Sequence, residues 1–313
     1  MAFVRESSGG SVVPEGVQGT FPGMPPSLYA ASASKLNAFL DCPRRYRFAY
    51  LDRPMPPKRA QRAHTSVGNA VHNALRDWWD RADRTPQAGA ALVREGWIDV
   101  GFRDGAQSAQ WRARSEAAVA AYLTGLDGGQ QPVGIERTVA FVSGTVRFTG
   151  RIDRLDERDG ELVVVDYKTS RRVPSVDEAR SSMALALYAA AVWKMFRRPT
   201  YAVELHHVPS GVVVGHRHTS ESLARQVERA KSIAQEARRA DADYARFGGA
   251  SEAFPPVVGP LCRWCDFRAH CPEGQQVGPE HSGWAALGED ETGAPDPRAV
   301  AADDGEVPNG RDE

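Results

Sequence analysis

Cysteine is scarce in this chain: four residues in 313. That is too few for a disulfide framework at this length. The opening residues lack a positively charged stretch followed by an apolar run, so no signal peptide and a cytoplasmic location are expected. No segment approaches the roughly 20 consecutive apolar residues that span a bilayer, so no membrane partner is expected. A Gly-Lys-Ser/Thr phosphate loop is also missing, which leaves any helicase to a separate protein. Charged residues at 25% and hydrophobic residues at 42% are ordinary for a globular protein.

There is little net charge, −1, but it is unevenly spread. From Gln276 onward ten acidic residues face only Arg298 and Arg311, giving −8 and leaving +7 for the rest. A basic body suits a polyanionic partner, and an acidic tail can compete for the same surface; the plainer alternative is a solvated face and a structureless tail. Residues 1–28 and 276–313 are rich in Gly, Pro, Ser or acids and are expected to lack fixed structure, with Trp284 and Leu287 as isolated apolar positions. That leaves 29–275 as one folded domain.

Within it, apolar spacing predicts a helix from Ser32 through Leu36, Phe39 and Leu40, ended by Pro54, Pro56 and Pro57. Further helices are expected at 67–82, 88–100 and 108–126. The period then changes. Strands are expected at 135–142 and 145–155 about Ser143-Gly144, and at 161–168 after Asp159-Gly160. A helix at 176–196, strands at 201–208 and 212–218, and a helix at 221–240 complete the pattern. This order defines an α/β (α+β) fold with a mixed sheet.

The strand Glu161-Leu-Val-Val-Val-Asp-Tyr-Lys168 reads as central, being apolar on both faces until its end. Alternation puts Asp166 and Lys168 on one face with Leu162 and Val164. Charge at the end of such a strand needs partners. Asp153, near the end of the preceding strand, is the natural neighbour. Two converging carboxylates can hold Mg2+ or Mn2+, and a lysine beside them can orient water and offset phosphate charge. A simple Asp–Lys ion pair at the sheet edge is the alternative. Cys262, Cys265 and Cys271 lie close together and Cys42 far upstream. By spacing alone they suit either an iron–sulfur cluster or a zinc site, with His270 as an alternative fourth zinc ligand.

Asp153 followed by Asp166-Tyr-Lys168 resembles the Asp…Asp/Glu-x-Lys signature of the PD-(D/E)XK nuclease superfamily. Gly150-Arg-Ile-Asp-Arg154, Val165-Asp-Tyr-Lys-Thr169 and Gly68-Asn-Ala-Val-His72 are similar to its RecB-type exonuclease branch. The cysteine spacing, with Cys42-Pro-Arg-Arg-Tyr-Arg-Phe48 and Cys262-Arg-Trp-Cys-Asp-Phe267, resembles the iron–sulfur members of that branch, the AddB nuclease domain and CRISPR-associated RecB-like exonucleases. The resemblance covers about residues 30–275 and implies a restriction-endonuclease-like core with a helical N-terminal part. It implies Asp153, Asp166, His72 and the Tyr167 carbonyl as the Mg2+/Mn2+ site, Lys168 as catalytic, and a [4Fe-4S] cluster on Cys42, Cys262, Cys265 and Cys271. The cluster would clasp the first helix to the C-terminal segment. One position departs from the family: Ala184 stands where the helix after the Asp-x-Lys strand carries a glutamine four residues before Tyr188.

Arg44, Arg45, Arg47 and Tyr188 are candidate DNA contacts, because arginine pairs with phosphate and aromatic faces stack on bases. Phe48 and Phe267 are expected to pack around the cysteines instead. The implied activity is exonucleolytic hydrolysis of DNA, single-stranded or with a free end, in repair, recombination or CRISPR adaptation. The alternative is a catalytically weak, nuclease-derived DNA-binding or assembly module holding a cluster or zinc.

Overall fold

The computed structural model describes residues 27–288 apart from 127. The expectations for 1–26 and 289–313 lie outside the described residues. A six-stranded mixed sheet is flanked by helices on both faces. Its strands are β1 (Tyr29–Ala31), β2 (Gly134–Ser143), β3 (Val146–Arg158), β4 (Glu161–Lys168), β5 (Ala202–His207) and β6 (Val212–Arg217). The path runs β1-β3-β4-β5-β6, with β2 on the other edge of β3. The β4–β5 pair and the short β1–β3 pair are parallel; the rest are antiparallel. This is the expected α/β fold with a mixed central sheet.

The long strand β3 shares one edge between two neighbours. β1 pairs with Val146–Phe148, and β4 joins only from Arg154 onward. The stretch between, containing Gly150 and Asp153, is open on that side. This opening places the site.

Leu162 and Val164 of β4 pack in the larger core beneath α7 (Met183–Phe196) and α8 (Ser220–Phe247). Val163, Val165 and Tyr167 pack in a second core against α3 (Ala63–Trp79), α4 (Pro86–Glu95) and α5 (Gly105–Thr124). Both faces are therefore covered, as the apolar run implied.

Several boundaries differ from expectation for local reasons. The first helix is two: α1 (Ala33–Asp41) and α2 (Pro43–Tyr50), with Cys42 extended between them (φ −167°, ψ 108°). Pro43 cannot donate into a continuing helix but is well placed at the first position of a new one. The 176–196 helix is also two, α6 (Val176–Ser181) and α7, separated by Ser182, whose side chain caps the latter at Leu185. β1 is too short to show a period. The structured chain also runs past 275: Trp284 and Leu287 pack against Ala63, Val67, Trp97, Phe102 and Trp111. Isolated in sequence, they are joined in space. Among the described residues no helix is long and apolar enough to cross a membrane.

Candidate active site and metal centre

The hairpin β2–β3 changes face midway. Val139, Phe141, Phe148 and Ile152 lie in the α7/α8 core, and so does Leu155, three residues after Ile152. Ile135 on β2 has crossed to the other core. Alternation therefore slips by one in both strands at the same level. That level is Glu136, at φ 46°, which falls between the pairs Ile135–Arg154 and Arg137–Ile152 and so faces Asp153. Directly opposed residues of an antiparallel pair bring their Cβ atoms within about 5.5 Å.

His72 completes the cluster from α3. Its Nδ1 lies 3.5 Å from Asp153 Oδ2. Gly68, one turn earlier, permits close approach: a Cβ there would stand 3.3 Å from Thr169 Oγ1, just after the Asp-x-Lys segment. His72, Glu136 and Asp153 each offer a ligand atom, all within 4.8 Å of one another, and form the only such three-residue group among the described residues. They line a cavity of about 530 Å3 together with Thr65, Asn69 and Arg151. One nitrogen and two carboxylate oxygens suit a divalent cation of the Mg2+/Mn2+ kind.

The structure thus brings His72 and Asp153 together as expected and adds Glu136, which sequence reasoning missed. The turn falls at Gly144-Thr145, one residue later than the expected Ser143-Gly144, and that register sets Glu136 opposite Asp153. Asp166 stands beside this group in contact with Lys168, Oδ2 to Nζ 2.6 Å. Tyr167 contributes its backbone N–H, which donates to Asp153 Oδ2 at 2.7 Å. The tyrosine ring is buried on the α3 face of the sheet, edge-to-face with the His72 ring at 5.9 Å.

The charges are mutually tuned. Burial opposes the charged form of His72, but the hydrogen bond and charge of Asp153, with Asp166 and Glu136 behind it, outweigh burial and raise its pKa. Burial pushes the Asp166 carboxyl upward, opposed by Lys168 and reinforced by Asp153. Glu136 is raised for the same reasons, burial and then Asp153, despite its ion pair with Arg151 at 2.5 Å. Clustered carboxylates that resist joint ionisation are what a divalent cation relieves. Tyr188 of α7 lies over Gly150, close enough to feel Asp166 and Asp153; burial first, then those charges, lift its hydroxyl to about 12.

A second site lies where the α1–α2 junction meets residues 256–274. Cys42, Cys262, Cys265 and Cys271 line one cavity of about 400 Å3. Gly274 forms part of its wall: a Cβ there would sit 3.4 Å from Cys271 Sγ and 3.7 Å from Cys262 Cβ. Phe48 and Phe267 pack together, ring centres 5.7 Å apart, against Cys265 and Cys271, as expected. Burial raises the thiol pKa of Cys265 and Cys271, so holding thiolates here requires compensating positive charge.

The arginines expected at DNA have acidic partners within the fold. Arg44 reaches Glu273 at 3.3 Å and the Phe254 carbonyl, Arg47 reaches Asp52 at 3.2 Å, and Arg45 meets Asp41 at 3.4 Å. Arg44 and Arg45 line the cysteine cavity.

A mixed sheet whose diverging strands set carboxylates and a lysine beside a helix-borne histidine is the framework of a metal-dependent phosphodiester hydrolase. Residues 30–272 match the PD-(D/E)XK nuclease superfamily, and the chain belongs to that superfamily. Among solved structures it is similar to a Eubacterium rectale protein provisionally named an exonuclease, at 10% identity and a TM-score of 0.46, over 68% of this chain and 82% of that one. It is also similar to the protein SSO0001, at 13% identity and a TM-score of 0.31, over 78% and 86%. No curated protein matches significantly.

Proposed function

We infer that this chain is an exonuclease acting on single-stranded DNA ends, of the RecB-like iron–sulfur branch. The carrying observation is the convergence of His72, Glu136 and Asp153 beside the Asp166–Lys168 pair. Asp153, Asp166 and His72 hold the cation in this reading, with Glu136 added and the Tyr167 carbonyl as the backbone ligand. Bound there, Mg2+ or Mn2+ supplies positive charge to a phosphate oxygen and acidifies water. Lys168 orients the attacking water and offsets charge developing on the phosphate. Asp166 keeps that lysine in place. Tyr188 offers a ring at the edge of the site for an unpaired base. The nuclease unit starts at about residue 29 and takes in the packed segment to 288.

Four thiols on one cavity fit an iron–sulfur cluster. Zinc is the alternative occupant of the same four thiols, and metal analysis of the purified protein separates the two. Of the four arginines on the same cavity, Arg44, Arg45 and Arg62 pair with Glu273, Asp41 and Asp266, while Arg268 donates to backbone carbonyls and so carries charge that can offset a thiolate. A cluster here fastens α1 and α2 to the C-terminal segment.

End-labelled single strands incubated with Mn2+ test the assignment, comparing wild type with Lys168→Ala and Asp166→Ala. Wild type should shorten the label stepwise and both variants should be at least a hundredfold slower; equal digestion by all three would sink the assigned site. A second reading, a DNA-binding module with weak catalysis, is favoured by Ala184, which offers no polar group near Tyr188. Stable binding of single strands without digestion by wild type supports that reading.

A further inference from the structure

The β3–β4 ladder runs from Arg158–Glu161 to Arg154–Val165. One step further the two strands carry Asp153 and Asp166, and there side chains replace ladder bonds. The Tyr167 N–H donates to Asp153 Oδ2. On the α3 face of the sheet, Arg154 Nη1 donates to the Tyr167 hydroxyl at 3.0 Å. Arg154 directly follows Asp153, so the same two points of the two strands are tied twice.

Arg154 is itself held firmly. It is 2% exposed and ion-paired to Asp156, equally buried, at 2.9 Å. The same Nη1 donates to the Tyr122 hydroxyl of α5 at 3.2 Å, and the guanidinium lies over Trp79 of α3. Asp156 also pairs with Arg158 at 2.7 Å, and Arg158 with Glu204 of β5 at 2.6 Å. His206 closes the chain, hydrogen-bonded to Glu204 and to Tyr122, both at 2.7 Å. Buried ion pairs of this kind add little stability that well-packed apolar residues would not. Their placement at the point where the ladder stops gives them a different use.

We propose that Arg154, acting through the Tyr167 hydroxyl, is a positioning residue that fixes the separation of β3 and β4 at the metal centre, and with it the aim of the Asp153 carboxylate. The inference rests on the reading of that cluster as a divalent-cation site. It predicts that metal affinity depends on a hydroxyl that bonds Arg154 rather than any member of the metal cluster.

Calorimetric titration of the full chain with Mn2+ tests this, comparing wild type, Tyr167→Phe and Tyr122→Phe. Each variant removes one acceptor from Arg154, but only the Tyr167 hydroxyl is attached to β4. Tyr167→Phe is expected to bind Mn2+ about tenfold more weakly, as when an outer partner of a ligand is lost. In the metal-free protein its residue 167 amide should exchange faster with solvent. Tyr122→Phe is expected to bind as wild type does. Unchanged affinity in Tyr167→Phe, or an equal loss in both variants, overturns the proposal, the latter because it marks general loosening. Wild type that binds Mn2+ yet leaves DNA intact removes the nuclease reading while the variants still decide this one. Wild type that takes up no Mn2+ removes both.

Discussion

Replacing Gly150 by alanine should destabilise the protein, and removing one aromatic ring should reverse the sign. A Cβ built on Gly150 lies 2.2 Å from Tyr188 Cε1 and 2.9 Å from Cδ1, where ordinary contact is 3.4–4 Å. The ring would have to retreat by more than an ångström, and it is packed against the larger core from α7. Overpacking of this kind costs about 1–3 kcal/mol. Against that, alanine restricts the unfolded chain and returns about 0.4–1 kcal/mol where the backbone accepts it. Gly150 has no positive φ, so the backbone does accept it. The net expectation is a loss of about 1–2 kcal/mol in wild type and a gain of about 0.5 kcal/mol in a Tyr188→Ala background. The coupling, about 2 kcal/mol, is within the range for residues in contact. Urea unfolding of the four proteins of this cycle measures it. An equal effect of Gly150→Ala in both backgrounds refutes the steric account and leaves the glycine unexplained.

Glu136→Gln should weaken Mn2+ binding at least tenfold with little change in the urea midpoint; calorimetric affinity equal to wild type would remove Glu136 from the metal centre. Burial, reinforced by His216, depresses His218 to about 4, so the folded state disfavours its proton. Stability is therefore complete above pH 6.5 and falls by about 2–3 kcal/mol as pH drops from 6.5 toward 4, a loss expected to shrink in His218→Gln when unfolding is followed at both pH values. Glu204 adds a second, more acidic window. Its carboxyl is held at about 2, the hydrogen bonds from His206 and Arg158 outweighing burial, so that its contribution fades only as pH falls from about 4.5 toward 2. Cys42→Ser should lower bound iron and reduce stability by as much as about 5 kcal/mol, the chain-entropy figure for opening a loop of about 220 residues. Metal analysis and thermal unfolding check this, and unchanged values in both would remove the clasp.

Much of the fold was legible because it depends on local period. The apolar run of β4, the Asp159-Gly160 turn and the alternation that sets Asp166 with Lys168 all survive in the structure, while the first turn falls one residue later than expected. His72 and Asp153 were legible as an ordered set of short motifs. Glu136 was not, because nothing in its neighbours marks it; only strand register brings it opposite Asp153, and the face change at that level turns both inward. The Arg154 network escaped for a related reason. Its members come from β3, β4, β5 and α5, and a lone arginine within a strand reads as an exposed residue. The ion pairs of the arginines after Cys42 were not legible either, because the partner of Arg44, Glu273, lies more than 220 residues away.

The packing of Trp284 and Leu287 onto the start of α3 bears on how the protein should be handled. Composition invites trimming the chain after residue 275, yet that cut would uncover Ala63 and Val67 at the root of the helix that carries His72. Leu287 is 5% exposed, so its removal alone forfeits roughly 2 kcal/mol of apolar burial. A shortened preparation that proves inert would then report a loosened helix rather than a missing activity, and crystallographers choosing an end point should retain the chain through Gly288.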